Sequence, residues 1–326
     1  MFLVRDGHDS IVALETFDMT DLNPILIAGP TASGKSALAL ELAERLVGTI
    51  INADSMQVYA ELRILTARPS SADEARAAHA LYGFVPASEA YSAGRFVKDA
   101  AAAIASARAK GLRPIIVGGT GLYFKALTEG LSPIPEVDPA VRQHWRDEAH
   151  SQGAGELYIQ LETQDPETAG RLNAADTQRI VRALEVLQSS GKPLSYWQAQ
   201  KGTPVVDLAA AHAFALLPER GQLQHHANSR FDQMMEAGAL DEADRLLRLG
   251  LDSDLPAMRA LGVAPLIAHL RGENALDQAV ASAKAETRQY IKRQMTWLKR
   301  YMITWKELSA QYNEINTAEI MSFVQS

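Results

Sequence analysis

Gly29-Pro30-Thr31-Ala32-Ser33-Gly34-Lys35-Ser36 decides the fold of this chain. The stretch matches the phosphate-binding pattern G-x-x-x-x-G-K-[ST] at every fixed position, and it stands between a short apolar run, Ile25 to Gly29, and a helical pattern. Glycines let backbone N–H groups approach phosphate oxygens, and the start of the following helix adds partial positive charge. Lys35 adds a full charge, and the hydroxyl of Ser36 is suited to bind Mg²⁺. The sequence therefore predicts a phosphate site rather than an unliganded glycine turn.

Further apolar runs predict the sheet in which this loop stands. Thr49 to Ala53, Pro114 to Val117 and Ala213 to Leu217 are short, apolar and separated by helical patterns. Apolar strands that alternate with helices are typical of a parallel sheet with helices on both faces. We therefore expect an α/β fold of the P-loop NTPase type, with ligands at the carboxyl ends of the strands.

The middle of the chain is different. From 133 to 205 the pattern is helical with almost no strand, and clusters of Pro and Gly stand at both ends. These features predict an N-terminal extension (1–23), the first part of the core (24–132), a helical insertion (133–205), and the completion of the core with C-terminal helices (206–326).

Composition excludes several classes of protein. The 326 residues include no cysteine, which excludes disulfides and thiolate-ligated zinc, and the eight histidines show no HExxH spacing. The N-terminus lacks the apolar core of a signal peptide, and no stretch reaches the length of a membrane span. We expect a cytoplasmic monomer without a membrane partner. Because the net charge is −7, any nucleic-acid surface must be local.

Polar residues follow two of the predicted strands. Asp54 comes after the second strand, where it could hold a metal or accept a proton, although a turn or helix-capping aspartate is the alternative. Thr120 stands among three glycines after the third strand and offers a hydroxyl to a ligand. A glycine turn into a helix is the alternative there.

One basic helix is predicted near the C-terminus. Between Glu286 and Glu307 there are six basic residues and no acid, while apolar residues recur at helical spacing. The basic residues are Arg288, Lys292, Arg293, Lys299, Arg300 and Lys306. Such a local concentration in an acidic chain favours a phosphate backbone as the partner, and a solvated helix face is the alternative. A second candidate of the same kind is Gln178 to Arg182 in the insertion.

The sequence resembles a known family, the bacterial tRNA dimethylallyltransferases, which are isopentenyl transferases acting on tRNA. The matching motifs extend from Pro24 to Trp305. They are GPTASGKS at 29–36, DSMQVY at 54–59, YSAGRF at 91–96, GGTGLYF at 118–124, QRIVRALEVL at 178–187, RFDQMMEAGALDEADRLL at 230–247 and TRQYIKRQMTWLKR at 287–300. The resemblance implies a P-loop fold whose helical insertion grips the anticodon stem-loop. It also implies transfer of a dimethylallyl group from dimethylallyl diphosphate to N6 of the adenosine on the 3′ side of the anticodon (position 37 of the tRNA).

The resemblance also implies roles for individual residues. Asp54 is implied as the general base, with Lys35 and Thr120 as the other catalytic residues. The implied diphosphate site comprises Gly29, Pro30, Thr31, Ala32, Ser33, Gly34, Lys35, Ser36, Arg220 and Arg230, with Ser36 as the ligand of Mg²⁺. The implied tRNA contacts are Asp54, Ser55, Met56, Gln57, Thr120, Arg142, Gln178, Arg179, Ile180, Val181, Arg182, Arg288, Lys292, Arg293, Gln294, Thr296, Trp297 and Lys299.

The chain departs from the family pattern at two places. Arg63 stands where the family has an acid and Leu65 where it has a glycine, and Gly262 to Pro265 replaces the usual G-Y-[KR]-E. Two other classes of function fit parts of the sequence. A small-molecule kinase would use the phosphate loop for ATP, and a non-catalytic RNA-binding protein would need no intact loop. The basic helix argues against the kinase, and the complete loop argues against the binding protein.

Overall fold

The computed structural model describes residues 22–309 and 314–325. Within them a six-stranded sheet has the order β3-β2-β4-β1-β5-β6, and every neighbouring pair is parallel. The strands are β1 Ile25–Ala28, β2 Gly48–Asn52, β3 Ala78–Ala80, β4 Arg113–Gly118, β5 His212–Leu216 and β6 Lys306–Leu308. The α/β class predicted from the sequence is thus confirmed.

Helices follow most of the strands. They are α1 Lys35–Leu46, α2 Ser71–Arg76, α3 Ala93–Ala109, α4 Gly121–Glu129, α5 Pro139–Gln164, α6 Pro166–Ala169, α7 Thr177–Ser190, α8 Leu194–Gln198, α9 Arg220–Glu236, α10 Ala239–Arg248, α11 Val263–Leu270, α12 Leu276–Tyr301 and α13 Glu314–Gln325. None of the helices among the described residues has the length and apolar character that a membrane span requires.

Burial explains why β1 occupies the middle of the sheet. All four of its side chains are buried, and Ile25 lies between Ile115 of β4 and His212 of β5. One face of the sheet packs against the apolar side of α1, where Leu38 and Leu42 are fully buried. Strand residues that are buried on both faces give the continuous apolar runs seen in the sequence.

The two outer strands were not predicted. β3 and β6 have three residues each, and Ala78 of β3 is exposed. Strands this short at the edge of a sheet carry too little apolar material to leave a pattern in the sequence. The four inner strands lie where the apolar runs predicted them, within one residue at either end.

The chain divides into two compact units. The first contains residues up to Tyr91, Asp99–Gly119 and the chain from Ala209 onward, and it holds the whole sheet. The second contains Ser92–Lys98 and Thr120–Leu208. The insertion predicted at 133–205 lies within this second unit, which begins earlier because α4 belongs to it. The predicted N-terminal extension lies outside the described residues apart from its last two, Leu22 and Asn23.

The second unit has a helical core of its own. Trp145 and Leu161 of α5 pack with Ile180 and Leu184 of α7, and all four are buried. Gly153 interrupts α5 with a φ of 78°, a conformation that glycine adopts without steric cost. The helical prediction for this part of the chain is confirmed.

Candidate active site

The phosphate loop has the backbone shape that its sequence predicts. Ala32 and Gly34 have positive φ values of 65° and 83°, and α1 begins at the next residue, Lys35. A Cβ on Gly29 would lie 2.7 Å from Oγ of Ser33 and 3.2 Å from Cβ of Leu216, so a larger residue here would displace its neighbours. The Lys35 ammonium donates to the carbonyl of Pro30 at 3.2 Å, folded back over the loop. This is a phosphate-binding loop at the N-terminus of a helix.

Close contact between strand ends places Asp54 beside this loop. A Cβ on Gly118 would lie 2.1 Å from the carbonyl oxygen of Ala53, so only glycine lets the ends of β4 and β2 approach this closely. Asp54 follows directly, and its side chain accepts a hydrogen bond from the backbone N–H of Met56 at 2.9 Å.

A buried amide fixes the backbone of Asp54. Asn52 accepts from the Asp54 N–H at 2.8 Å and donates to the carbonyls of Asp54 and Leu81 at 2.9 and 3.0 Å. Asn52 itself is fully buried. The carboxylate therefore projects from a rigid turn, which suits a residue that must hold a proton acceptor in one place.

Charges of both signs meet at this point of the first unit. Burial lowers the pKa of Lys35 to about 8; the negative charge of Asp54 opposes this shift, and the positive charge of Arg230 adds to it. Burial also lowers the pKa of Arg230, again opposed by Asp54. Burial, with a smaller contribution from Asp54, raises the pKa of Tyr82. Two cations gathered around one carboxylate leave positive charge for an anionic ligand.

A cavity of about 250 Å³ opens beside these charges. Its polar wall includes Thr31 of the phosphate loop, Asp54 and Arg230. The remaining wall combines apolar side chains with further polar and charged ones. The apolar residues are Met56, Leu65, Ala227, Phe231, Met234, Ala260 and Leu261. The polar and charged residues are Ser55, Thr66, Arg259, Thr287, Tyr290 and Arg293. A charged end and an apolar body in one cavity suit a ligand that is itself charged at one end and apolar at the other.

A buried carboxylate from α10 holds part of the apolar wall in place. Glu242 is 3% exposed and accepts hydrogen bonds from the backbone N–H groups of Arg63, Ile64 and Leu65, each at 2.8 Å. These three hydrogen bonds hold the backbone of residues 63–65, where the sequence departs from the family pattern, in a fixed position. Leu65 consequently presents its side chain to the cavity.

The basic helix is α12, and five of the six predicted basic residues lie on it; Lys306 stands in β6 instead, because the helix ends at Tyr301. Lys292, Arg293, Thr296, Lys299 and Arg300 are exposed. Arg288 is partly buried and donates to Oδ1 of Asn228 at 3.2 Å. In the predicted apolar stripe of this helix, Ile291, Leu298 and Met302 are buried, whereas Met295 is only partly so.

Aromatic rings alternate with the charges along α12. Tyr290, Trp297 and Tyr301 are spaced by seven and four residues, which places them on one side of the helix. The rings of Trp297 and Tyr301 are 4.7 Å apart, and the guanidinium groups of Arg293 and Arg300 lie 5.5 and 5.3 Å from the rings of Tyr290 and Tyr301. Tyr290 and Arg293 also line the cavity. Cations interleaved with aromatic rings are suited to bases and phosphates of a single strand.

Gln294, which the resemblance implies as a tRNA contact, is buried. It is 6% exposed, and both ends of its amide bind backbone groups of the first unit. Its Oε1 accepts from the N–H of Thr31, and its Nε2 donates to the carbonyl of Gly119, each at 2.9 Å. The helix that carries the basic residues is therefore bonded to the phosphate loop.

Of the other predicted site residues, some line the cavity and others do not. Gln57 donates to the carbonyls of Thr66 and Ala67 at 2.8 and 3.0 Å, while Ser55 and Met56 line the cavity. Arg230 lies in the cavity wall, whereas Arg220 is exposed at the first residue of α9. Ser36 is exposed in the first turn of α1. Thr120 belongs to the second unit, where it precedes α4.

The second unit contains the predicted residues of the insertion. Arg142 on α5 and Gln178 on α7 are exposed. Arg179 lies 3.4 Å from Asp176, and Arg182 lies 3.2 Å from the buried Glu185. Ile180 is fully buried and Val181 partly so. The side chain of Ile180 therefore packs into the core of the second unit, and its implied tRNA contact stays a prediction.

Sequence reasoning missed much of the cavity wall. Phe231, Met234, Arg259, Thr287 and Tyr290 were not predicted as site residues. Phe231 and Met234 recur at helical spacing on α9 and indicate only a packed face. Phe231 and Met234 stand within the motif at 230–247, and Thr287 and Tyr290 stand within the motif at 287–300, so the resemblance was the available signal.

The parallel sheet and the loop after β1 define the class of this protein, which has a fold of the P-loop type. The sequence matches two protein-family models: the IPP transferase family over residues 57–301 and the Isopentenyl transferase family over residues 23–82. The chain belongs to the IPP transferase family.

Individual relatives extend over nearly the whole chain. The tRNA dimethylallyltransferase of Parvibaculum lavamentivorans is 51% identical over 300 residues, covering 92% of this chain and 95% of the relative. That of Azorhizobium caulinodans is 53% identical over 281 residues, covering 86% and 90%.

Two solved structures are similar in fold as well. The tRNA isopentenylpyrophosphate transferase of Bacillus halodurans superposes with a TM-score of 0.66 at 30% identity, covering 93% of this chain and 95% of that one. A eukaryotic dimethylallyltransferase, described as acting on tRNA, superposes with a TM-score of 0.74 at 27% identity, covering 90% and 74%.

Proposed function

We propose that this enzyme transfers a dimethylallyl group from dimethylallyl diphosphate to N6 of the adenosine on the 3′ side of the anticodon in tRNA. The observation that carries the proposal is the cavity in which the phosphate loop and Asp54 meet an apolar wall. The relatives support the same reaction. They are named tRNA dimethylallyltransferases, and their sequences are 51% and 53% identical to this chain over most of their length.

The donor accounts for both ends of the cavity. A diphosphate matches the loop N–H groups, Lys35 and Arg230, all of which favour negative charge. The five-carbon allyl group matches side chains such as Leu65 and Phe231. ATP would offer this apolar wall a polar nucleoside, which is a poorer match.

The acceptor requires a base. The exocyclic N6 of adenine is a weak nucleophile because its lone pair is delocalised into the ring. Asp54 is held on a rigid turn with one oxygen bonded to the Met56 N–H, and we assign its other oxygen the proton from N6. The diphosphate leaves as Lys35 and the loop N–H groups neutralise its developing charge.

A magnesium ion fits the residues present. Ser36 offers a hydroxyl in the first turn of α1, directly after the phosphate loop. Mg²⁺ prefers such oxygen ligands and is commonly bound by one or two protein groups together with substrate phosphates. The ion would supply further neutralisation of the leaving diphosphate.

The RNA surface is assigned to α12. Its exposed lysines and arginines provide phosphate contacts independent of sequence. The target adenine must leave its stack to enter the cavity, at a cost of roughly a few kcal/mol. A tRNA substrate supports the cytoplasm as the site of the reaction, while the monomeric state stays a prediction.

The test uses radiolabelled dimethylallyl diphosphate, unfractionated tRNA and the full chain, with labelled ATP in a parallel reaction. We expect label in tRNA from the prenyl donor, and a digest that yields N6-dimethylallyl adenosine. ATP hydrolysis or phosphate transfer without prenyl transfer would instead make the protein a kinase-like enzyme. Binding of tRNA without any transfer would make it a non-catalytic RNA-binding protein.

A further inference from the structure

Gln294 occupies an unusual position for a residue within an RNA-binding segment. Its exposed neighbours Lys292 and Arg293 face solvent, whereas its own amide reaches into the first unit. A Cβ on Gly119 would lie 2.3 Å from Nε2 of Gln294, so the glycine leaves room for this amide. The contact joins α12 to two loops that follow β1 and β4.

We propose that Gln294 is a positioning residue for the transfer reaction, because its amide fixes the phosphate loop against the end of β4. This inference rests on the proposed function. Thr31 lines the cavity, so an error in its backbone position displaces the diphosphate relative to Asp54. Preorganised donors stabilise a leaving group only when they are held in place before the reaction.

Glutamine is the residue type that this position requires. The bridge needs an acceptor for the Thr31 N–H and a donor for the Gly119 carbonyl in one neutral side chain. A glutamate at neutral pH keeps the acceptor, loses the donor and adds a negative charge beside the diphosphate loop. A methionine fills a similar volume and makes neither bond.

The first experiment compares Gln294→Met with Leu298→Ala in the full-length enzyme. Leu298 is buried on the same helix one turn further along and takes no part in the two hydrogen bonds of Gln294, so its truncation should lower the melting temperature while leaving those bonds in place. For Gln294→Met we expect kcat to fall by about 100-fold, the size of effect that a displacement of about 1 Å can produce, with the KM for tRNA unchanged. Leu298→Ala should keep the kcat of the parent below its melting temperature.

A kcat for Gln294→Met equal to that of the parent would overturn the proposal. So would equal losses of kcat in the two variants at equal losses of melting temperature, because the effect would then be one of stability alone.

The second experiment uses Gln294→Glu and a pH profile. A protonated glutamate reproduces the amide, since its carbonyl oxygen accepts from Thr31 and its hydroxyl donates to Gly119. Burial favours that neutral form. The ratio of the activity of Gln294→Glu to that of the parent should therefore rise when the pH of the assay is lowered from about 8 to about 6. The parent and the variant share every other titratable group, so the ratio reports on the substituted side chain.

A flat ratio would show that the pair of hydrogen bonds does not govern turnover. The parent enzyme separates this outcome from failure of the proposed function: if the parent transfers no dimethylallyl group, the function is wrong, whereas an active parent with indifferent variants overturns only the role of Gln294.

Discussion

Two helices of this protein, α7 and α12, resemble RNA-binding segments, but their basic side chains have different partners. On α7, Arg179 pairs with Asp176 and Arg182 with Glu185. On α12, Arg293 and Arg300 lie against aromatic rings, and no acid stands between Glu286 and Glu307. A cation that is already paired within its own helix has less to gain from a phosphate. We therefore expect the main electrostatic contact with tRNA on α12.

The largest expected effect separates chemistry from RNA binding. Asp54→Asn keeps the shape of the side chain but removes the base, so turnover should fall by about 10²–10⁴-fold while tRNA affinity is retained. Single-turnover transfer and tRNA binding measured on the same variant check this. Equal losses of turnover and of tRNA affinity would make Asp54 a recognition residue. The cavity around Asp54 would then not be distinguished from α12 as the place where the chemistry occurs.

Donor binding should depend on the pH through Lys35, whose pKa burial lowers to about 8. The diphosphate favours the charged ammonium, so donor binding should raise this pKa and take up a proton above about pH 8. The donor dissociation constant should accordingly rise by up to tenfold per pH unit above that value and change little just below it, as measured by calorimetry in two buffers. Lys35→Arg, which stays charged, should remove this dependence. Donor affinity that is constant up to pH 9 in the parent would contradict it.

The salt dependence of tRNA binding tests the comparison directly. Lys292→Ala and Lys299→Ala should each reduce the slope of log K against log salt concentration by about 0.7–0.9, the value for one phosphate contact. Arg179→Ala should reduce it less, because Asp176 already offsets that charge. If the slopes of both α12 variants were unchanged and that of Arg179→Ala were reduced, the main electrostatic contact would lie on α7 instead.

The smallest effect concerns stability rather than binding. Arg182→Ala leaves the buried carboxylate of Glu185 without this partner. We expect a loss of about 1 kcal/mol in the free energy of unfolding, at the low end for an unpaired buried group because Arg182 is 40% exposed. Urea unfolding of the variant checks this, with Lys299→Ala on α12 as the neutral control. A normal unfolding free energy together with weakened tRNA binding would instead make Arg182 a phosphate contact.

Most of the fold could be predicted because its signals are local. The phosphate loop is specified by glycines at Gly29 and Gly34 and by the helix that follows, all within a few residues. The inner strands are continuous apolar runs because both of their faces are covered. The edge strands β3 and β6 escaped prediction since three residues at an edge need little apolar material.

By itself, the sequence determined the phosphate loop, the inner sheet, the helical second unit and the charge of α12, all of which depend on neighbours along the chain. Only the tertiary structure decided which side chains those elements bring together. Gln294 meets Thr31 from 263 positions away, and Glu242 meets Leu65 from 177. No period or motif encodes such pairs, because each hydrogen bond depends on where two distant segments pack. For the same reason the resemblance implied only a tRNA contact for Gln294, whereas the tertiary structure shows its amide buried against the phosphate loop.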